Sequence, residues 1–208
     1  MKKTIMFMSI FAFAFVVTAV TASARYCPDC WSSSVNVNNY NDAVVANDVN
    51  ADANTGHNGG GIASIETGDA DSLATAYTDA NHNYTQVNQV ARRGRVNVNN
   101  HNSMDVVNYV GANANTGHNN GCIAGIETGD ADAVAVAETE GNTNYTEVNR
   151  AAYRVNVNNG NRAMVINEVG ANANTGHNSG WLVGVETGNA NSTAQSITMV
   201  NSNVTKIK

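Results

Sequence analysis

Proline is nearly missing from this chain of 208 residues: Pro28 is the only one, and it lies ahead of every repeated motif. Proline cannot donate to a backbone ladder, so its absence from a long stretch fits uninterrupted strand pairing. Large apolar side chains are scarce too, with 4 Phe and 2 Trp, and the apolar share is mostly Ala and Val. A thick globular core would be hard to fill with these; the composition supports a core one or two small side chains deep. No helical period of apolar residues is visible past residue 24. Basic residues are the minority, 11 Lys and Arg against 17 Asp and Glu, for a net charge of −6. That balance argues against electrostatic capture of nucleic acid or anionic membrane.

Cysteine is sparse as well. Cys27 and Cys30 form a CPDC segment, and Cys122 stands alone. Cys27 and Cys30 are candidates for a small structural disulfide. A redox pair should follow a strand and open a helix, which is not visible here, and a zinc site would need a second ligand pair at metal spacing. Cys122 occupies the position held by Gly61 and Trp181 in the other repeats, so no shared chemistry can depend on it.

What is present begins with Lys2 and Lys3, an uncharged apolar run from Ile5 to Val20, and the small-residue triplet Ala22-Ser23-Ala24. Those features predict a secretory signal peptide over residues 1–24. The run is shorter than the roughly 20 apolar residues of a spanning helix, so no membrane span is expected after cleavage. Ala24-Arg25-Tyr26 before Cys27 is not the small-residue sequence that precedes a lipidated cysteine. Residues 25–34 then form an N-terminal CPDC segment.

The remainder is one sequence spelled three times. ADANTGHNGG at Ala51 returns as ANANTGHNNG at Ala112 and ANANTGHNSG at Ala171, a period of about 60 residues that indicates a solenoid, propeller or array. The repeats span 35–95, 96–154 and 155–208 and form one repeat domain. With Val35, Val96 and Val155 aligned, alternate residues barely change: Val37, Asn39, Asn41, Ala43 and Val45 correspond to Val98, Asn100, Asn102, Met104 and Val106. The residues between them drift. Tyr40, His101 and Gly160 share one position, and Asp48, Tyr109 and Glu168 another. Constancy at every second residue is the mark of a strand with one buried and one wet face.

Such a run of about 20 residues exceeds the usual strand length, so a bend is expected, with the inward asparagines as corners. A second alternating run follows each ETG, then N-x-N-x-T from Asn81, Asn142 and Asn201. Four or five short strands per repeat are therefore predicted. Propeller blades are shorter, and three would not close a ring. The expected fold is an all-β β-solenoid of three repeats, with inward Val, Ala and Thr in thin layers and inward Asn in amide ladders; a β-sandwich of short strands is the alternative. In this reading ANANTGHN is a strand end and corner, with Ala and Thr inward, Asn outward, and Gly making the turn.

Three sets of residues invite chemistry. His57, His118 and His177 recur in TGHN, but stacked units would hold them several strand spacings apart with no partner ligand, so each is expected to cap a backbone carbonyl. Glu66, Asp69 and Asp71, repeated as Glu127, Asp130 and Asp132, place carboxylates around a glycine turn and are candidate calcium ligands. The third copy reads ETGNAN, and the spacing fits neither known calcium loop, so solvent-facing Asx-turns compete with the metal assignment. Paired carboxylates also occur in glycoside hydrolases, yet an enzyme needs one site, not near copies. No nucleophile elbow or phosphate loop is present. Arg92-Arg93-Gly94-Arg95 joins two repeats as a solvated turn.

The pattern N-T-G-x-N, then T-G-D-A and an alternating Ala, Val and Asn tail, resembles Asn/Gly/Thr-rich repeats of uncharacterised exported proteins of candidate-phylum bacteria. The resemblance covers Val35 to Lys208 and implies a surface or secreted β-repeat protein, with no activity or site residues. A fainter similarity to curlin-type repeats lies in Asn41 to Val45. Together these features predict a secreted, extracellular or cell-surface structural or adhesive protein, not an enzyme. It would need no cofactor unless calcium binds, and its partners would be itself, other surface proteins or glycans. A binding module for calcium, glycan or ice on regular Asn, Asp and Thr rows is the second expectation.

Overall fold

The structure is a computed structural model and describes residues 6–23 (as backbone), 34–61, 64–88, 94–122, 125–149, 154–181 and 184–208. CPDC, with Cys27 and Cys30, lies outside the described residues, as do Arg92 and Arg93. Every regular element is a strand. After β1 (Met6–Ser23), each repeat contributes four: β2 (Ser34–Asn54), β3 (Gly59–Gly60), β4 (Ile65–Glu66) and β5 (Ala70–Asn88) in the first. The second has β6 (Arg95–Asn115), β7 (Asn120–Gly121), β8 (Ile126–Glu127) and β9 (Ala131–Asn149). The third has β10 (Arg154–Asn174), β11 (Ser179–Gly180), β12 (Val185–Glu186) and β13 (Ala190–Ile207).

Each repeat is one coil of a β-solenoid, and equivalent strands of successive coils pair in parallel. The sheets run β10-β6-β2, β11-β7-β3, β12-β8-β4 and β1-β5-β9-β13. Registers match residue for residue: Val35 lies beside Val96, and Val155 beside Val96 from the other side. Position 101, where Tyr40, His101 and Gly160 drift, faces outward and is exposed in coil 2, whereas Val96 and Val98 are completely buried.

The interior alternates apolar and amide layers between the two long sheets. One apolar cluster holds Val37, Val87, Val96, Val98 and Val148. A second holds Ala43, Ala80, Met104 and Val106, and the largest is built of Val49, Ala51 and Ala53, their coil 2 counterparts, Ala70, Ala74 and Ala76 of β5, and the alanines of β9. Between them run ladders of asparagine. Asn39 Nδ2 donates to Thr85 Oγ1 across the core at 3.0 Å and to Asn100 Oδ1 in the next coil at 2.7 Å. Asn100 does the same to Thr146 and Asn159, and Asn47 and Asn108 form a parallel ladder against Thr78 and Thr139. An amide between two strands has two N–H donors, so one closes the coil and the other climbs the stack. That satisfies a buried polar group, which would otherwise cost about 1–3 kcal/mol.

Two expectations about the coil are corrected. The 21-residue run does not bend at Asn39, Asn41 or Asn47; β2 continues unbroken through them. Pairing along its whole length holds it extended, and the asparagines serve as ladder rungs. Each coil accordingly has two long strands and two of two residues, not four or five short ones. Within the long strands the left-handed residues are Asn81 (φ 61°), Asn142 (φ 53°) and Asn201 (φ 66°), each inside the second long strand of its coil.

The segment with the composition of a signal peptide is a strand here: β1 pairs with β5 from Met6 beside Ala70 to Ser23 beside Asn88. Its Phe, Val and Ile content suits a strand, and it covers the edge of β5 that faces away from β9.

Candidate functional site

TGHN and ETGD sit side by side at the turn joining the two long strands. Thr55 Oγ1 donates to Gly68 O at 2.9 Å, Thr116 Oγ1 to Gly129 O at 2.9 Å and Thr175 Oγ1 to Gly188 O at 3.0 Å, clamping one turn to the other in every coil. Asn58, Asn119 and Asn178 close the loop by donating Nδ2 to the carbonyls of Thr55, Thr116 and Thr175. Asn119 Oδ1 also accepts from the Asn58 backbone N–H at 2.9 Å, tying coil 1 to coil 2. The motif therefore recurs because each residue in it has a structural task.

The glycine of TGHN is not the left-handed residue. That conformation belongs to His57, His118 and His177, with φ of 62°, 60° and 58°. Gly56 and Gly117 are needed for clearance: a Cβ on Gly117 would lie 2.0 Å from Gly176 O, and one on Gly56 would lie 2.1 Å from Gly117 O.

The histidines depart from expectation in spacing and in role. His57 and His118 stack at 4.8 Å between ring centroids, and His118 and His177 at the same distance, so they stand one strand spacing apart. They do not cap carbonyls. Asn115 Nδ2 lies 3.3 Å from His57 Nδ1, and Asn174 Nδ2 lies 3.2 Å from His118 Nδ1. Because an amide nitrogen donates, Nδ1 is the acceptor in these contacts. His57 and His118 line a shallow groove with Asp52, Asn113 and Asn172.

The six carboxylates are split between three tasks. Asp69 Oδ1 accepts the Asp130 backbone N–H at 3.0 Å, and Asp130 Oδ1 accepts that of Asn189 at 2.6 Å, so this position caps the turn of the following coil. In coil 3 the position is Asn189, whose backbone N–H is the last to be capped in this way. Asp132 accepts from Asn191 Nδ2 at 2.8 Å. Burial, then the charges of Asp132, Asp69 and Asp130, push the Asp71 carboxyl above its ordinary 3.8. Glu66 and Glu127 form a separate exposed row with Glu186 beside Ile65, Ile126 and Val185. Among the described residues no group of three or more His, Cys, Asp and Glu is placed to hold a metal ion. Cys122 is exposed with a free thiol.

Sequence reasoning missed the stair-step capping by Asp69 and Asp130 and the pairing of histidine with asparagine, since both run between coils. The one available signal was the Asn189 exchange, which preserves an oxygen acceptor and discards charge. No family model matches the chain, and neither does any curated protein or solved structure. What the fold and site define is a class: a three-coil, parallel, in-register β-solenoid with amide ladders.

Proposed function

We propose that the chain is a secreted or cell-surface structural and adhesive repeat protein without catalytic activity, which associates with copies of itself through its coil ends. The observation that carries this reading is the residue-for-residue register of three coils. Asn58 and Asp69 at the turn bond to the next coil, and the threonine clamp recurs inside each coil. An array of equivalent turns suits a scaffold, whereas catalysis needs one unlike constellation. The open edge at β10 and β13 supplies unpaired backbone groups that recruit another strand. Light scattering and electron microscopy of the exported protein over a wide concentration range test it. Mass rising with concentration and thread-like particles are expected; a strict monomer throughout would refute self-association.

The groove along the stacked histidines favours a second reading, an extracellular binding module. Its rows of Asn, Asp and His repeat at the strand spacing and suit a regular polar ligand such as a glycan, while the acidic turn suits calcium. Calorimetric titration with millimolar calcium separates the two: heat together with a raised melting temperature supports the module, and neither effect removes its calcium form.

A further inference from the structure

Asn81 Oδ1 is buried and has no hydrogen-bond partner. Its equivalents are satisfied from the preceding coil: Asn142 Oδ1 accepts from Asn81 Nδ2 at 3.1 Å, and Asn201 Oδ1 accepts from Asn142 Nδ2 at 3.1 Å. The corner ladder thus runs in one direction. It starts at an acceptor with no donor and ends at Asn201, whose Nδ2 meets no acceptor among the described residues. Asn81 and Asn142 spend their second donor on the carbonyls of Ser103 and Arg162, and the position equivalent to these in coil 1 is Asp42.

The strand beside Asn81 does not fit the corner. Where β5 and β9 align one residue to one on either side, Ala80 with Gly141 and His82 with Thr143, β1 slips. Phe15 lies beside Asp79 and Val17 beside His82, so β1 is one residue short at the turn, and its sequence holds no asparagine or glutamine to donate there.

The remaining end groups match in the same sense. Thr55 N donates to Asn115 O and Thr116 N to Asn174 O, which sets Thr175 N to donate to an Asn54 carbonyl. Asn120 N donates to Asn58 O and Ser179 N to Asn119 O, which sets Asn178 O to accept from a Gly59 N–H. A Cβ on Gly176 would meet nothing nearer than 3.7 Å within its own chain, whereas Gly56 and Gly117 need their glycine because a coil follows.

We infer that the β2–β5 end of coil 1 is a docking site for the β10–β13 end of coil 3 of a second copy, and that β1 occupies part of this site until it is displaced or removed. This rests on the self-association proposed above and specifies its interface. In the junction Asn201 Nδ2 donates to Asn81 Oδ1 and to Asp42 O of the next copy, β10 continues onto β2, and β13 replaces β1 on β5. Joining unlike ends of one chain gives a heterologous contact that does not close, so the product is a filament. Residues 1–24, with the composition of an export leader, would then hold the chain apart until export.

The test uses the full chain with Cys27→Ser, Cys30→Ser, Cys122→Ser, Asn36→Cys and Asn156→Cys. Within one chain these positions are two strand spacings, about 10 Å, apart, too far for a disulfide; across the junction they are neighbours. A second form adds Ala12→Pro and Ala14→Pro, which prevent β1 from pairing. Oxidation is expected to give a ladder of covalent multimers in the proline form and mostly monomer when β1 is intact. Adding Asn201→Asp keeps an acceptor for Asn142 and replaces the outward donor by a carboxylate oxygen that faces two acceptors. It should cut multimer yield by about tenfold, the value of one lost hydrogen bond that leaves a buried acceptor. Gly176→Ala, which has room in its own coil, should cut it at least as far. Amide exchange in β9 reports that each variant remains folded. Multimers that ignore Asn201→Asp and Gly176→Ala, or that link equally well through Asn36→Cys and Arg162→Cys, would overturn this interface while leaving self-association standing. Equal yields with and without the prolines would overturn the role of β1. Monomer in every form would overturn both proposals.

Discussion

Coil 2 and coil 3 carry nearly the same side chains and differ in what surrounds them. Val98, Asn102 and Val106 are completely buried, whereas Val157, Asn161 and Val165 at the same positions of coil 3 are only half-buried. Neither coil makes a core by itself. An inward valine is covered by the valines above and below it as much as by the facing sheet, so burial here is a property of neighbours. Stability in such a stack is close to a sum of intrinsic coil terms and nearest-neighbour terms, and the end coil has half of the latter.

The sharpest way to break that comparison is to place the same charge in both coils. Val106→Asp buries an unpaired carboxylate and is expected to cost about 4 kcal/mol or more, enough to abolish cooperative melting. Val165→Asp can turn toward open solvent at the edge and should cost less than half as much. Thermal melts by circular dichroism compare the two directly. Next comes Gly117→Ala, whose methyl would have to displace the Gly176 carbonyl. A loss of about 2–4 kcal/mol is expected in urea titrations, against a near-neutral Gly176→Ala.

A third comparison concerns the amide ladder. Asn108→Ala removes the acceptor of Asn47 Nδ2 and the donors to Thr139 and Asn167. It should cost about 2 kcal/mol, since it leaves buried groups unpaired. Asn167→Ala frees groups that water reaches and should cost well under 1 kcal/mol. Equal losses would show that the end coil is covered in solution.

The smallest effect is electrostatic. Asp71 has its folded value raised above 3.8, so the folded state holds that proton more tightly than the unfolded chain. The site therefore opposes folding at neutral pH, and its contribution improves as pH falls through the raised value toward 3.8. Asp71→Asn should raise the melting temperature slightly at pH 7 and flatten its rise between pH 7 and 4. A variant that melts lower at pH 7 would contradict that sign.

The facing of β2, β6 and β10 was legible because three internal copies separate constant from drifting positions: Val106 and Asn108 are buried and Tyr109 is exposed. The two kinds of asparagine were not. Asn47 reads as an inward corner and Asn81 only as the start of N-x-N-x-T, yet the first is a rung in an extended strand and the second a left-handed corner. Parity reports which face a residue takes, whereas backbone twist depends on what the facing strand requires. The site was partly legible in the same way. Carboxylates at Asp69 and Asp130 were visible as a cluster, but their partners are backbone N–H groups one coil away, which no local spacing reveals.

Amide hydrogen exchange read strand by strand tests the stack most directly. Amides of β6 and β9, flanked on both sides, should be the slowest. Along β10 and β13, those bonded inward to coil 2 should be slow, and the alternate ones facing outward should exchange at nearly unprotected rates in a dilute monomer. Uniform protection across the three repeats, or a β6 that exchanges as fast as β10, would contradict a stack in which the middle coil is held by its neighbours.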